Sequence, residues 1–191
     1  MRPSRVVIIL TAISLCSPVA FAADEVQAPS PEQQAVEALK RIRTNIQFNK
    51  DGTTRLLRLS NATVTDDALA HLQHFKQLDY LAIVCPQVTD ANTNHIAGLI
   101  NLETLLLSKS SIGDATLAHL TGLEKLERLY LAETKISDEG LANIAGLLQL
   151  TALSFEQTDI SDEGLKHLRG LSNIETLLLN ETQFTGPGLT E

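Results

Sequence analysis

The sequence predicts an α/β solenoid, a curved stack of short units with a parallel β-sheet on its concave face and short α-helices on its convex face. Three observations carry that fold class. An apolar framework recurs every 24 residues from Thr54 onward. Each unit alternates apolar and polar residues as a half-buried strand does, then changes to the three-residue spacing of a short helix. The chain is also rich in leucine: 43% of its 191 residues are hydrophobic, yet only 4% are aromatic and none is tryptophan. One kind of aliphatic side chain must therefore build the core.

Taken in chain order, residues 1–22 read as a secretory signal peptide. Arg2 and Arg5 give a positive start, Val6 to Leu15 is almost wholly apolar, and Ala20-Phe21-Ala22 is a small-x-small cleavage site. The run is shorter than the about 20 apolar residues a bilayer span needs. A lipid anchor on Cys16 is the alternative, disfavoured because Leu15 is bulky where such signals want a small residue. Removal of 1–22 takes two arginines with it, so the net charge of −8 becomes −10. An acidic chain lacks the basic face that replaces counterions around phosphate, which argues against a nucleic-acid binder. Cys85 is then the sole cysteine, so neither an intrachain disulfide nor a cysteine zinc site is expected. It reads as a small apolar side chain, with pairing to another chain as the alternative.

Residues 23–30 form a flexible lead-in, and 31–53 a helix-plus-hairpin cap on the first repeat. Ser30-Pro31 opens a helix with Ala35, Ala38, Leu39 and Ile42 on one side. Ile46-Gln47-Phe48 alternates as a strand, and Asn49-Lys50-Asp51-Gly52 is a turn before the strand Arg55–Leu59.

Residues 54–191 then divide into five full registers, starting at 54, 78, 102, 126 and 150, and a partial one from 174. Position 4 is leucine throughout: Leu57, Leu81, Leu105, Leu129, Leu153 and Leu177. Position 6 carries Leu59, Ile83, Leu107, Leu131, Phe155 and Leu179, and position 11 Val64, Val88, Ile112, Ile136, Ile160 and Phe184. Position 12 offers helix caps in Thr65, Thr89, Ser137, Ser161 and Thr185, with Gly113 the exception. Leu141, Ile144, Leu147 and Leu165, Leu168, Leu171 form the helical stripe, and Gly98, Gly122, Gly146 and Gly170 stand where each helix should end. Gly186-Pro187-Gly188 weakens the last unit, so that end either frays or invites self-association of an otherwise monomeric chain.

The fuller pattern, LxxLxLxxTxISDxGLxxLxGLxx, resembles the leucine-rich repeat family in its variant with a helix in each unit. It is similar to the repeats of exported bacterial proteins and of F-box substrate receptors. The resemblance covers 54–191 and implies the horseshoe described above; it says little of function, because the same scaffold hosts many partners. No adaptor-binding segment accompanies it, which weakens an F-box-type role.

Candidate sites have to break the periodicity, since a scaffold needs a functional residue only once. His71, His95, His119 and His167 share position 18, roughly a helix diameter apart, and read as ordinary convex-side residues rather than a metal ladder. Asp66, Asp90, Asp114, Asp138 and Asp162 likewise read as helix-start acids, not calcium ligands. G-x-S-x-G, H-E-x-x-H, C-x-x-C and a phosphate-cradling glycine loop are all absent, so no metal, cofactor or catalytic chemistry is expected.

What does vary is the outward face of the sheet. Both tyrosines, Tyr80 and Tyr130, fall there with Leu106 and Arg128, the composition of interface hot spots. Asp79, Glu103, Glu127 and Glu175 add an acidic ridge that would steer a basic partner, and Lys109 and Glu133 lie beside it. Repeat two departs from the pattern: Pro86 stands where Thr134 and Thr158 do, Thr93 replaces a buried leucine between Asn92 and Asn94, and Cys85 is placed on the same outward face. The reading is an exported, non-catalytic module that binds a protein through its concave face. A carbohydrate or cell-wall binder using the tyrosines as stacking platforms is the first alternative, and a non-catalytic subunit or inhibitor of an enzyme complex the second.

Overall fold

The computed structural model describes residues 28–42, 44–60 and 64–186. The signal peptide, most of the lead-in, Arg43 and the Pro187-Gly188 pair lie outside the described residues.

Helix α1 (Pro31–Lys40) opens on a capping box: Ser30 Oγ accepts the Gln33 N–H at 3.2 Å, and Gln33 Oε1 accepts the Ser30 N–H at 2.8 Å. The helix stops at Lys40, before Ile42, the last residue of the expected apolar side. It buries Ala35, Val36 and Leu39 on the first repeat. Strands β1 (Thr44–Phe48) and β2 (Thr54–Leu59) form the expected antiparallel hairpin, turned at Gly52 with φ +84°. Thr54 occupies a leucine slot at the seam between cap and repeats. Its N–H donates to Glu32 Oε1 at 2.5 Å, but its fully buried hydroxyl is the one buried side-chain oxygen or nitrogen without a partner among the described residues.

From β2 each repeat adds one parallel strand: β3 (Tyr80–Ile83), β4 (Thr104–Leu106), β5 (Arg128–Tyr130), β6 (Ala152–Ser154) and β7 (Thr176–Leu178). The order is β1 to β7 without a crossover, so β1 and β7 are the two edges of an open sheet. Leu57, Leu81, Leu105, Leu129 and Leu153 are at most 1% exposed, and the aliphatic row behind them makes one continuous core. Strands lie about 4.8 Å apart, while a helix with side chains is about 10 Å across, so the helical side is the longer and the sheet lines the inner curve.

The convex side differs from expectation in kind of helix. Repeats one, three and five carry short α-helices, α2 (Asp66–Ala70), α3 (Asp114–His119) and α4 (Asp162–Leu165). Repeats two and four carry 3-10 helices, Asp90–Ile96 and Glu139–Ile144. In repeat two, Asn92, Thr93 and Asn94 are poor α-helix formers and favour the tighter, shorter form. The position-21 glycines do not end the helices in left-handed turns, since among the described glycines only Gly52 and Gly186 have positive φ.

The left-handed residues lie instead at position 8: Lys109, Glu133, Gln157 and Glu181, with φ between 56° and 59°. That turn carries the strand's end into the loop, and its N–H bonds the next unit, as from Glu133 N to Glu156 O at 2.8 Å. The loop is then fastened by position 9, where Ser110, Thr134, Thr158 and Thr182 each donate a hydroxyl to the carbonyl three residues back. Cys85 departs from this rule. Pro86 restricts the residue before it to extended backbone, and Cys85 turns inward. It is fully buried with Sγ donating to Gln87 Oε1 at 3.0 Å, which corrects its placement on the outward face and agrees with a small apolar role.

The aspartates stand at the starts of their own helices, as expected. Each acid also reaches the next repeat. Asp90 Oδ1 accepts the N–H groups of Gly113 at 2.8 Å and Thr116 at 3.0 Å, and so caps α3 where Gly113 has no side chain to do it. Asp114 takes the N–H and hydroxyl of Ser137 at 2.8 and 2.7 Å, and Asp138 takes those of Ser161 at 2.8 and 2.6 Å. Asp162 does the same for Thr185, and Asp66 accepts from Asn92. Close approach requires Gly140 and Gly164: an added Cβ would meet Asp114 Oδ1 at 2.3 Å and Asp138 Oδ1 at 2.2 Å.

Candidate functional site

The outward face of the sheet is built by the pleat. Positions 4 and 6 of each repeat point into the core, so positions 3 and 5 must point out. Register puts Leu56, Tyr80, Thr104, Arg128, Ala152 and Thr176 in one row, and Arg58, Ala82, Leu106, Tyr130, Ser154 and Leu178 in the next. Ala82, Thr104 and Ser154 are small enough to be buried by their neighbours, leaving a low floor from which the larger side chains stand.

The structure brings Leu106 and Tyr130 directly together on adjacent strands, both partly buried. No hydrogen bond of the Tyr130 hydroxyl occurs among the described residues. Tyr80 stands apart, two strands from Arg128 in its own row, and is already engaged. Arg58 lies over its ring with the guanidinium carbon 5.0 Å from the centroid, and donates to its hydroxyl at 3.0 Å. Arg58 sits diagonally across from Tyr80 on the neighbouring strand, a contact that strand register alone could have signalled.

The charges of this face are largely spoken for. Arg55 Nε meets Asp79 Oδ2 at 2.7 Å, and that hydrogen bond and charge hold the guanidinium above its ordinary pKa. Arg128 donates to Thr104 Oγ1 at 2.9 Å and lies 3.7 Å from Glu127. Lys109 and Glu133, held outward by their left-handed backbone, pair at 3.2 Å. Of the acidic ridge, Glu103 is exposed and makes no side-chain ion pair among the described residues, whereas Asp79 and Glu127 are paired. The thiol of Cys85 contributes nothing to the face.

Among the described residues no three His, Cys, Asp or Glu side chains are grouped to hold a metal. His119 Nδ1 lies 3.1 Å from Thr93 Oγ1, which itself donates to Asp90 O at 2.9 Å and lies 3.0 Å from Thr116 Oγ1. The threonine in the leucine slot of repeat two is thus buried with its hydroxyl satisfied, a tolerated variation of the framework. No helix among the described residues is long and apolar enough to cross a membrane.

A parallel sheet, one short helix or 3-10 turn per 24 residues and a leucine core together define a leucine-rich-repeat solenoid. Solved structures of that fold resemble the chain. An internalin (inlF) of Listeria monocytogenes is 23% identical with a TM-score of 0.52, covering 71% of this chain and 44% of its own. The chain therefore spans less than half the length of that protein. The leucine-rich repeat ectodomain of the Arabidopsis thaliana receptor kinase GASSHO1/SCHENGEN3, solved with CASPARIAN STRIP INTEGRITY FACTOR 2, is 18% identical with a TM-score of 0.51, over 74% of this chain and 17% of its own. TLR13, solved with ssRNA13, is 18% identical with a TM-score of 0.51, over 69% and 20%. No family model and no curated protein matches the sequence.

Proposed function

We propose that the chain is an exported, non-catalytic module that binds a protein through the outward face of its sheet. The observation that carries this is the Leu106–Tyr130 pair: a partly exposed aliphatic and aromatic contact at the middle of the face, with a tyrosine hydroxyl left without a partner. Unlike the leucine framework and the aspartate links, this pair does not repeat. Arg128, Lys109 and Glu133 border it, and Glu103 offers an open carboxylate to a basic group of the partner. Tyr80 serves as a braced wall, since Arg58 already covers one side of its ring.

The same stacking weighs against a carbohydrate platform, which needs open tyrosine faces. One structural neighbour was solved with RNA, but a chain of net charge −8 repels phosphate, so a protein is the preferred ligand here. Export rests on the residues of 1–22 alone. Affinity capture from the exported compartment, comparing the native chain with Leu106→Ala/Tyr130→Ala, tests the reading. Loss of a specific partner by the double variant, with an unchanged melting temperature, is expected. Equal recovery of the same partner by both proteins overturns it.

A further inference from the structure

We propose that the open side of Tyr130 receives an arginine side chain of the partner. Its guanidinium stacks on the ring and donates to the Tyr130 hydroxyl and the Glu156 carboxylate. This rests on the binding face proposed above and names the side chain that face selects.

The chain itself shows how this sheet holds a guanidinium on a tyrosine. Arg58 lies over Tyr80 with its guanidinium carbon 5.0 Å from the ring centroid, and the same group donates to the Tyr80 hydroxyl at 3.0 Å. Beside it, Arg55 Nε meets the Asp79 carboxylate at 2.7 Å. Repeats one and two thus already combine an arginine, a tyrosine ring and a carboxylate partner.

Tyr130 presents the same ring on the same face without an arginine of its own. Among the described residues no cation lies over it, and its hydroxyl has no hydrogen bond. Arg128, two residues away on the same strand, turns instead to Thr104 Oγ1 at 2.9 Å and to Glu127 at 3.7 Å. On the next strand Tyr130 faces Ser154, and the diagonal position is Ala152. Both side chains are too short to cover the ring as Arg58 covers Tyr80.

A carboxylate stands next to that low floor. Ser154 Oγ donates to Glu156 Oε2 at 3.4 Å, which puts the Glu156 carboxylate beside the residue directly across from Tyr130. Its other oxygen accepts from Asn180 Nδ2 at 2.5 Å. Both donors are neutral, and Glu156 is partly buried with no ion pair among the described residues. A partly buried carboxylate without a counter-ion, next to an uncovered aromatic ring, favours a cation that uses both.

Charge and shape together select arginine. At positions 2, 3, 5, 7 and 8, repeats one and two carry Arg55 and Arg58 against Asp79, net +1. At the same positions repeats four and five carry Arg128 against Glu127, Glu133 and Glu156, net −2. The braced tyrosine therefore lies on the positive half of the face and the open one on the negative half. A lysine ammonium is a compact point charge, whereas a planar guanidinium lies on a ring while its edge reaches a hydroxyl and a carboxylate at once.

The test is an NMR titration of the purified chain with acetyl-Gly-Arg-Gly amide and its lysine and citrulline counterparts, reading the Tyr130 ring signals. Citrulline keeps the planar shape and drops the charge. The arginine probe should shift the Tyr130 ring at millimolar concentration and leave the Tyr80 ring in place. The lysine probe should bind about tenfold more weakly, and the citrulline probe should leave the ring unchanged. Glu156→Gln should weaken the arginine probe about tenfold and Tyr130→Phe about threefold, both at an unchanged melting temperature. No shift with the arginine probe, equal binding of either counterpart, or a Glu156→Gln chain that binds as well as the native one would each overturn the proposal. Affinity capture separates this inference from the reading beneath it. A partner lost by Leu106→Ala/Tyr130→Ala but fully retained by Glu156→Gln removes the arginine seat and leaves the binding face standing; retention by both variants removes the two together.

Discussion

The loop side and the sheet side of this solenoid are made by the same repeats and follow opposite rules. On the loop side one device recurs: an aspartate at position 13 reaches the backbone or hydroxyl of the next unit, from Asp90, Asp114, Asp138 and Asp162 alike. On the sheet side the polar contacts change from unit to unit. Arg55 meets Asp79, Arg58 meets Tyr80, Arg128 meets Thr104, and Gln157 meets Glu181. The difference teaches where each kind of residue is constrained. A joint between units must satisfy the same buried groups every time, whereas a side chain on the open face answers only to its neighbours and to whatever lands on it.

That contrast can be broken by experiment. The largest effect belongs to the framework beneath both sides: Leu129→Ala, in the middle of the core, should cost about 2–5 kcal/mol by denaturant unfolding. Leu177→Ala, at the open end and already partly exposed, should cost distinctly less. Equal losses would mean that the last unit is as well covered as the middle. Next comes the loop side. Gly140→Ala forces a methyl against the Asp114 carboxylate and should cost about 1–3 kcal/mol, while Gly122→Ala meets nothing within 4 Å and should be neutral or mildly stabilising in a thermal melt. Similar behaviour of the two would remove the aspartate contact as the reason for glycine.

At the seam between cap and repeats, Thr54→Val keeps the shape of the side chain and deletes the buried hydroxyl that lacks a partner. It should raise stability by about 1 kcal/mol, and a loss would reveal a partner for that hydroxyl. The smallest effects are expected on the sheet face. Tyr130→Ala and Arg58→Ala should each change unfolding free energy by no more than about 0.5 kcal/mol. A Tyr130→Ala loss as large as that of Gly140→Ala would make the tyrosine a structural residue and remove the basis for the binding reading.

Much of this is legible in the sequence. A period of 24 with leucine at position 4 in every unit dictates parallel stacking, because a single unit cannot bury its own apolar side. Ser30, Pro31 and the Asn49–Gly52 turn dictated the cap's helix and hairpin through local backbone chemistry. What the pattern concealed were contacts between units. The aspartates looked like helix-start acids because that is their position in the sequence, and only stacking reveals the next repeat's backbone above them. A signal was present nonetheless: Ser137-Asp138-Glu139-Gly140 recurs as Ser161-Asp162-Glu163-Gly164, and a glycine in a helix's first turn needs a steric reason. Cys85 was misplaced because strand alternation was extended past the point where Pro86 redirects the backbone. Of the candidate site, the residues of the face could be named from register, but Arg58 on Tyr80 is a diagonal contact, and choosing between two equivalent tyrosines required it.

The aspartate links have a further consequence for how such a chain can grow. Each joins residues 23 to 26 positions apart, so every donor finds its acceptor one unit away. Duplicating a block of 24 residues would copy an acceptor together with the backbone groups that bind it, and the ladder would close again with one more rung. Inserting two or three residues in the same place would strand every group on one side of the cut. The molecule can therefore change its length only in whole steps, while its open face is free to change one side chain at a time.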